Sequence, residues 1–451
     1  MHDSSDRDPP PRCAEGTREK VIADIMNWIK DPSPRESVLW LNGPFGNGKS
    51  AIMQTTAEIL RNDSQLNHLL AGSFFFGRGK PGRDKAKYLV PTIAYQIAIN
   101  IPWMRNPTES ALNRDPTILS KSIEAQLRYL ITEPFRRTLN SSPFEGLSTP
   151  FHTPTVIIDG LDECDGHEFQ CLILSAISTA IVKDDVKLRF LIASRPERQI
   201  SEIFRAHPLR QLHLPIALVK DYETHGELKK YMRSGLDRIY ERHFDLMFGV
   251  EKPWPSDEKL TVLAYKASGQ FLYASTVLKF VDADDAHPVH QLELILTRPS
   301  VAFSSMDELY TLILESSPHQ EMLSSVIYPF GEFNYVDIRT LEVMSGLRAE
   351  DISVVLRGLP AVIAVDTPDK HDMPEGFPWQ DFMQYYSPRV SVHHQSFIEF
   401  LTDKERAGNF FVDKDIRHKN VTARLDELVA ECLTRRYTLN ITKTFLTESL
   451  Q

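Results

Sequence analysis

Apolar positions along this chain repeat in two periods. In "GTREKVIADIMNWIKD", Val21, Ile22, Ile25, Met26 and Ile29 recur at intervals of three and four, the spacing of a helix with one buried face. From about Ser37 to Pro215, runs of strand length alternate with helical ones. "SVLWLN", "LLAGSFFF", "TPTVIID", "KLRFLIAS" and "LRQLHLP" read as strands; "KSAIMQTTAEILRN", "AKYLVPTIAYQIAIN" and "SKSIEAQLRYLITEPFRRTL" read as helices. Strand alternating with helix implies parallel pairing, hence an α/β domain with helices on both faces of a parallel sheet. From Lys220 to His319 the pattern is helical throughout, with "DEKLTVLAYKASG" and "QFLYASTVLKFV" as its clearest stretches. Then "YVDIRTLEVMSGLRAEDISVVLRGLPAVIAV" reads as two helices joined at "SGLRAE" and followed by a strand. This is a helix-turn-helix with a β-wing reaching "RVSVHHQSFIEFL". The stretch "DTPDKHDMPEGFPWQ" reads as a solvated loop, and no repeat of 20 to 50 residues is visible.

Composition narrows the classes. Of 451 residues 42% are hydrophobic and 25% charged, ordinary for a globular chain with a sizeable core. The formal net charge of -10 disfavours nonspecific attraction to nucleic acid or anionic membranes, so neither is expected as a partner. No apolar run reaches membrane-spanning length, and the polar start "MHDSSDRDPPPRC" is no signal peptide. Cys13, Cys164, Cys171 and Cys432 form neither a CxxC pair nor a zinc spacing; buried thiols in a reducing, cytoplasmic setting are expected.

The chemistry concentrates in "GPFGNGKS", Gly43 to Ser50, between a strand and a helix. It satisfies G-x-x-x-x-G-K-[ST], the phosphate-binding loop. Gly43, Gly46 and Gly48 leave room for backbone N–H groups to wrap a phosphate, with Pro44, Phe45 and Asn47 completing the loop. The next helix, starting near Ala51, offers unpaired N–H groups and the positive end of its dipole. Lys49 supplies a point charge between β- and γ-phosphates, and the Ser50 hydroxyl can ligate Mg²⁺. A second cluster lies at the end of "TVIIDGLDEC". Parallel strands present ligands at their carboxyl ends, which brings Asp159 near the loop to hold Mg²⁺, while Glu163 or Asp162 serves as general base. A third strand end, "FLIASRPE", projects Ser194 and Arg195, which either sense a γ-phosphate or, for Arg195, make a surface ion pair.

In that order, "WLNGPFGNGKSAI", "VIIDGLDEC" and "FLIASRPE" resemble the NACHT-type NTPases of the STAND class, and most closely the fungal group with a nephrocystin-like core. "CAEGTREKVIADIMNWI" resembles the family's lead-in helix, "ASGQFLYASTVLKFV" its helical-domain signature and "VHHQSFIEFL" the end of its winged helix. The resemblance implies a disordered polar leader over 1–15, a P-loop NTPase domain over 16–215, a helical domain over 216–318 and a winged-helix domain over 319–403. A helical tail over 404–451 would begin a missing or truncated sensor region. It also implies a signalling switch, of the kind used in fungal innate immunity or cell death. Such a switch binds ATP or GTP with Mg²⁺, is closed with diphosphate, and self-associates with triphosphate before engaging a protein effector. By the same resemblance His394 meets the β-phosphate of the closed state, and Gly16, Thr17 and Arg18 lie at the base and ribose, although Thr17 can equally cap the helix. Hydrolysis, where present, would be slow and regulatory.

Three other functions share parts of this pattern: a protein-remodelling ATPase, a nucleotide-binding scaffold that never hydrolyses, and a winged-helix DNA-binding regulator. The last is disfavoured by charge, because the second helix, "AEDISVVLRG", opens on Glu350 and Asp351 and offers only Arg357.

Overall fold

The computed structural model describes residues 1–7, 9–139, 153–218, 222–298, 305–331, 335–366 and 387–413. The expected loop "DTPDKHDMPEGFPWQ", nearly all of it, Cys432 and most of the expected tail lie outside these residues. The chain divides into two compact units, Met1–Arg238 with Glu251–Ser275, and Ile239–Val250 with Thr276 onward.

The first unit is built on five parallel strands: β1 (Val38–Asn42), β2 (Leu70–Phe75), β3 (Thr155–Asp159), β4 (Arg189–Ser194) and β5 (His213–Ala217). Their order across the sheet is β2-β3-β4-β1-β5, so the phosphate-loop strand β1 sits between β4 and β5. Alternation along each strand divides the core. Val38, Trp40, Val156, Ile158, Phe190 and Ile192 face one way. They pack against helices α3 (Leu89–Asn100), α4 (His167–Val182) and α5 (Arg198–Arg205). Leu39, Leu41, Ile157, Leu191 and Ala193 face the other way, against α1 (Glu19–Lys30) and α2 (Lys49–Asn62). Apolar runs buried on both faces are what a parallel sheet requires. This is a P-loop NTPase fold.

The unit reaches beyond the expected boundary at 215. It takes in most of α6 (Tyr222–Arg242), all of α7 (Asp257–Ala267) and the start of α8 (Phe271–Val281). Contacts within the unit bind these helices: Arg18 bonds Thr224 and Glu227 of α6, and Leu272 N–H of α8 donates to Gly46 O at 3.2 Å.

The described residues of 1–15 are bonded to the sheet unit and do not form the disordered leader expected. His2 N–H donates to Ser73 Oγ on β2, Gln54 Nε2 on α2 donates to His2 O, and Arg12 pairs with Glu58. Polar composition alone suggested disorder; the polar groups have found partners on α2 and β2.

In the second unit, α9 (Ile338–Ser345) and α10 (Ala349–Arg357) are joined by a turn at Gly346, whose φ of 72° is open to glycine without strain. Strands β6 (Tyr335–Asp337), β7 (Ile363–Asp366) and β8 (Arg389–Val392) form an antiparallel sheet in the order β6-β8-β7. Helix α11 (Gln395–Leu401) follows, and Asp307 and Arg406 form a two-point ion pair at 2.7 and 3.1 Å in the same unit.

One buried cation anchors the lead-in helix to the sheet. The Arg189 guanidinium donates to Trp28 O and Ile29 O, both at 2.7 Å, and to Asp31 O, so it caps the carbonyl end of α1. Arg189→Met removes that charge and leaves three acceptors without their donor. We expect a loss of about 3 kcal/mol of unfolding free energy, measured by chemical denaturation.

Candidate functional site

The loop after β1 closes on itself before it can meet any ligand. Lys49 Nζ donates to Gly43 O at 2.8 Å and Pro44 O at 2.9 Å. Gly48, with φ 82°, starts α2 from the left-handed region, and Gly46 holds φ 75°. The three glycines serve different ends. A Cβ at Gly43 would lie 2.9 Å from Leu218 Cβ and 3.2 Å from its carbonyl, so that glycine is required by the chain after β5. Asn47 is fully buried and its Nδ2 donates to that same Leu218 carbonyl at 3.1 Å. The loop is thus supported from behind by residue 218.

Asp159 ends β3 on the face that carries α2, because it shares parity with Ile157. It is 4% exposed, and the Ser50 hydroxyl lies near enough to favour its ionised form. Its Oδ1 is buried without a hydrogen-bond partner. Burial raises its pKa; the nearby Ser50 hydroxyl and then the Arg7 and Lys49 charges oppose that rise. Lys49 is lowered by burial, against the pull of Asp162 and Asp159. A hydroxyl and a carboxylate with one open oxygen suit Mg²⁺, which takes hard oxygen ligands and keeps places for water and phosphate. Among the described residues no group of three or more His, Cys, Asp or Glu side chains could hold a metal ion.

The neighbouring acids divide. Both Asp162 oxygens are taken by Arg195, Oδ1 by its backbone N–H at 2.9 Å and Oδ2 by Nε at 3.2 Å. The general-base role considered for Asp162 therefore does not fit. Glu163 receives only the Arg78 N–H, at 3.3 Å, and burial with the charges of Asp162 and Asp159 pushes its pKa up to about 7. Arg195 makes the ion pair considered for it, with Asp162 as the partner and its own side chain partly exposed. It is held by Asp162 and lies 4.8 Å from the centre of the Phe45 ring, so it touches the phosphate loop.

Other expected residues are placed differently. Ser194 shares parity with Ile192, is fully buried, and accepts from Trp40 Nε1 at 2.9 Å in the core facing α3 to α5. Its expected phosphate contact is not what this geometry offers. The Thr17 hydroxyl donates to Ala14 O at 2.6 Å and caps no helix. Arg18 lies inward at 5% exposure, donating to Asn47 O at 3.0 Å and Thr224 Oγ1 at 3.2 Å, with Phe271 beneath its guanidinium. Ala51 is half-buried in the first turn of α2. His394 belongs to the second unit, where its Nδ1 accepts from Ser396 N–H at 3.1 Å and caps α11.

The sequence reading missed Arg78, Leu218 and Arg7. Arg78 follows β2 in "FFFGRGK" and brackets the acidic turn, with its guanidinium on Asp162 O at 3.1 Å. A basic residue just past a strand's carboxyl end was the available signal.

Residues 16–195 match the family model described as Nephrocystin 3, N-terminal. That span runs from the Gly16 turn to Arg195 and contains every site residue named above except Leu218, Arg7, His394 and the α6–α8 contacts. The nephrocystin-like part of the chain is therefore its phosphate-loop region. No curated protein matches the chain. Among solved structures, a Drosophila ORC bound to DNA is 13% identical, with 87% of this chain and 96% of that one covered at a TM-score of 0.38. The Aeropyrum pernix ORC2 protein in ADPNP–ADP complexes is 12% identical, covering 93% and 96% at 0.38, and Cdc6p from Pyrobaculum aerophilum 11% identical, covering 93% and 97% at 0.38. The fold assignment rests on this chain's own strand order and loop. No helix among the described residues is long and apolar enough to cross a membrane.

The Glu163 carboxyl should titrate in the nephrocystin-like region with a midpoint near 7, neutral below it and ionised above. Carbon-13 NMR of labelled glutamate checks this, with Glu163→Gln identifying the signal; Asp162→Asn should move the midpoint down, since a negative neighbour is lost.

Proposed function

We propose that this chain is a nucleotide-dependent switch of the nephrocystin-like, NACHT-type class. It binds a purine nucleoside triphosphate or diphosphate with Mg²⁺, ATP or GTP. One observation carries the reading: a buried carboxylate with an open oxygen, Asp159, lies near the Ser50 hydroxyl and within the field of Lys49, whose ammonium is held by the glycine-rich loop. The α2 N-terminus and the loop amides supply donors for phosphate oxygens, and Lys49 exchanges the Gly43 and Pro44 carbonyls for them. Bound Mg²⁺ would screen the phosphate charge. Glu163 accepts a proton from the attacking water, and Arg195, oriented by Asp162, senses the γ-phosphate.

Signalling roles beyond the site rest on the resemblance: self-association with triphosphate, a protein effector, fungal immunity or cell death, and a cytoplasmic setting. So does the role of His394 at a β-phosphate, which predicts faster diphosphate exchange in His394→Ala. Nucleic acid is not proposed as a partner, because α10 opens on Glu350 and Asp351, with Arg348 turned to Asp351 at 3.6 Å.

Lys49→Ala should weaken nucleotide binding by about a hundredfold, close to 3 kcal/mol, in calorimetry. Asp159→Ala should weaken binding in Mg²⁺ far more than in chelator; equal losses in both would remove Asp159 from the metal. Hydrolysis should be slow and rise with pH through about 7, as Glu163 loses its proton, and Glu163→Gln should hold triphosphate unhydrolysed. A rate flat across pH 6 to 8 would reject Glu163 as base.

A further inference from the structure

A cation from the first residues of the chain reaches the metal-facing side of the sheet. Arg7 lies with its guanidinium 3.6 Å from the centre of the Phe75 ring, and its Nη1 donates to Gln54 Oε1 at 2.5 Å and to His2 O at 3.4 Å. Phe75 is the last residue of β2, and the sheet register pairs it with Asp159 on β3. Both side chains lie on the α2 face, and adjacent strands are about 4.8 Å apart. Gln54 stands one helical turn beyond Ser50 on α2, so its side chain and the Ser50 hydroxyl share a face. The Arg7 cation is thereby fixed beside the Ser50–Asp159 pair, stacked on an aromatic ring and held by an amide, without being bonded to either.

We propose that Arg7 is a built-in counter-cation of Asp159 that opposes divalent-cation binding there, so that the amino-terminal segment sets how much Mg²⁺ the site demands. The idea rests on the phosphate-loop reading of the site. The physical basis is Coulombic. A unit positive charge already stabilises the carboxylate in a water-poor setting, and a divalent ion arriving at the open Oδ1 meets its repulsion with little screening. Arg7 and Asp159 influence one another in the sense this requires: Asp159 favours the charged form of Arg7, and Arg7 favours the ionised form of Asp159. Other charges near Arg7 are Arg83, whose Nε donates to the Phe75 carbonyl at 3.0 Å, and Glu58 of α2. Arg83 belongs to the loop after β2 and Glu58 is paired with Arg12, so Arg7 is the cation that the first residues contribute.

The test uses the full chain with fluorescent ADP, titrating Mg²⁺ at fixed nucleotide and repeating the binding in EDTA. Arg7→Gln retains an amide that can bond Gln54 and removes the charge. It should lower the Mg²⁺ concentration for half-saturation about five- to tenfold while affinity in EDTA stays within twofold of wild type. Arg7→Lys, which keeps the charge, should behave as wild type. A purely structural role would move the EDTA affinity or affect Lys and Gln alike. Hydrogen exchange on the unmodified protein gives a second reading: amides of residues 1–7 should exchange faster with Mg²⁺ and ADP than with ADP in EDTA. An unchanged or raised Mg²⁺ requirement in Arg7→Gln, or unchanged exchange of that segment, overturns the proposal. Absence of ADP binding by wild type in both Mg²⁺ and EDTA would instead overturn the phosphate-loop reading.

Discussion

The Ser50 hydroxyl brought close to the Asp159 carboxylate is the juxtaposition on which the site depends. It joins the first turn of the helix after the phosphate loop to the end of a strand two places away in the sheet, β1 and β3 being separated by β4. Nothing local in either segment could create it. It follows from three global facts: the strands are parallel, their carboxyl ends align, and Asp159 has the parity of Ile157 and so faces α2. A slip of one residue in β3 would turn the carboxylate toward α3 and α4 and end the arrangement.

Around that juxtaposition the charges are arranged in pairs whose members come from different elements. Lys49 is pulled by Asp162 and Asp159, Arg195 is held by Asp162, and Arg7 faces Asp159. Burying this many charges is tolerable because each one has an opposite charge or a backbone acceptor in reach. Lys49 illustrates it: two loop carbonyls hold the ammonium 2.8 and 2.9 Å away, at distances of full hydrogen bonds.

Much of this was legible in the amino-acid order. Strand-length apolar runs located β1 to β4 and the start of β5, although Leu209 to Leu212, expected in that last strand, are helical; helical spacing located α1, α2 and α3 but not α4 or α5, and the loop motif identified its own lysine and serine. Strand parity carried more than was drawn from it. In "RFLIAS", Ser194 falls on the side of Phe190 and Ile192, which assigns its hydroxyl to the core and to Trp40 instead of to a phosphate. Other features could not be read this way. Arg7 reaches Phe75 and Gln54 across 68 and 47 positions, and Gly43 is required by Leu218; such contacts have no periodic signature. Helical spacing likewise shows that α6 to α8 form, but not that Arg18 and Gly46 bond to residues of α6 and α8 in the same compact unit.

Asp162 and Glu163 show why neighbouring identical chemistry need not mean shared function. The left-handed Gly160, φ 68°, starts a single tight turn that sends the two side chains to different surroundings. Gln170 of α4 locks that turn by donating to Asp162 O and Cys164 O. Asp162 is directed at Arg195, whose backbone N–H and guanidinium engage one oxygen each, so it holds and orients that cation. Glu163 takes one long hydrogen bond, from Arg78 N–H, and burial with two nearby negative charges outweighs that bond and the pull of Arg195. One acid is thus spent on holding a cation, and the other is kept able to take up a proton near neutrality. A base needs the second condition and an orienting group the first. The turn at Gly160 separates the two by one peptide bond.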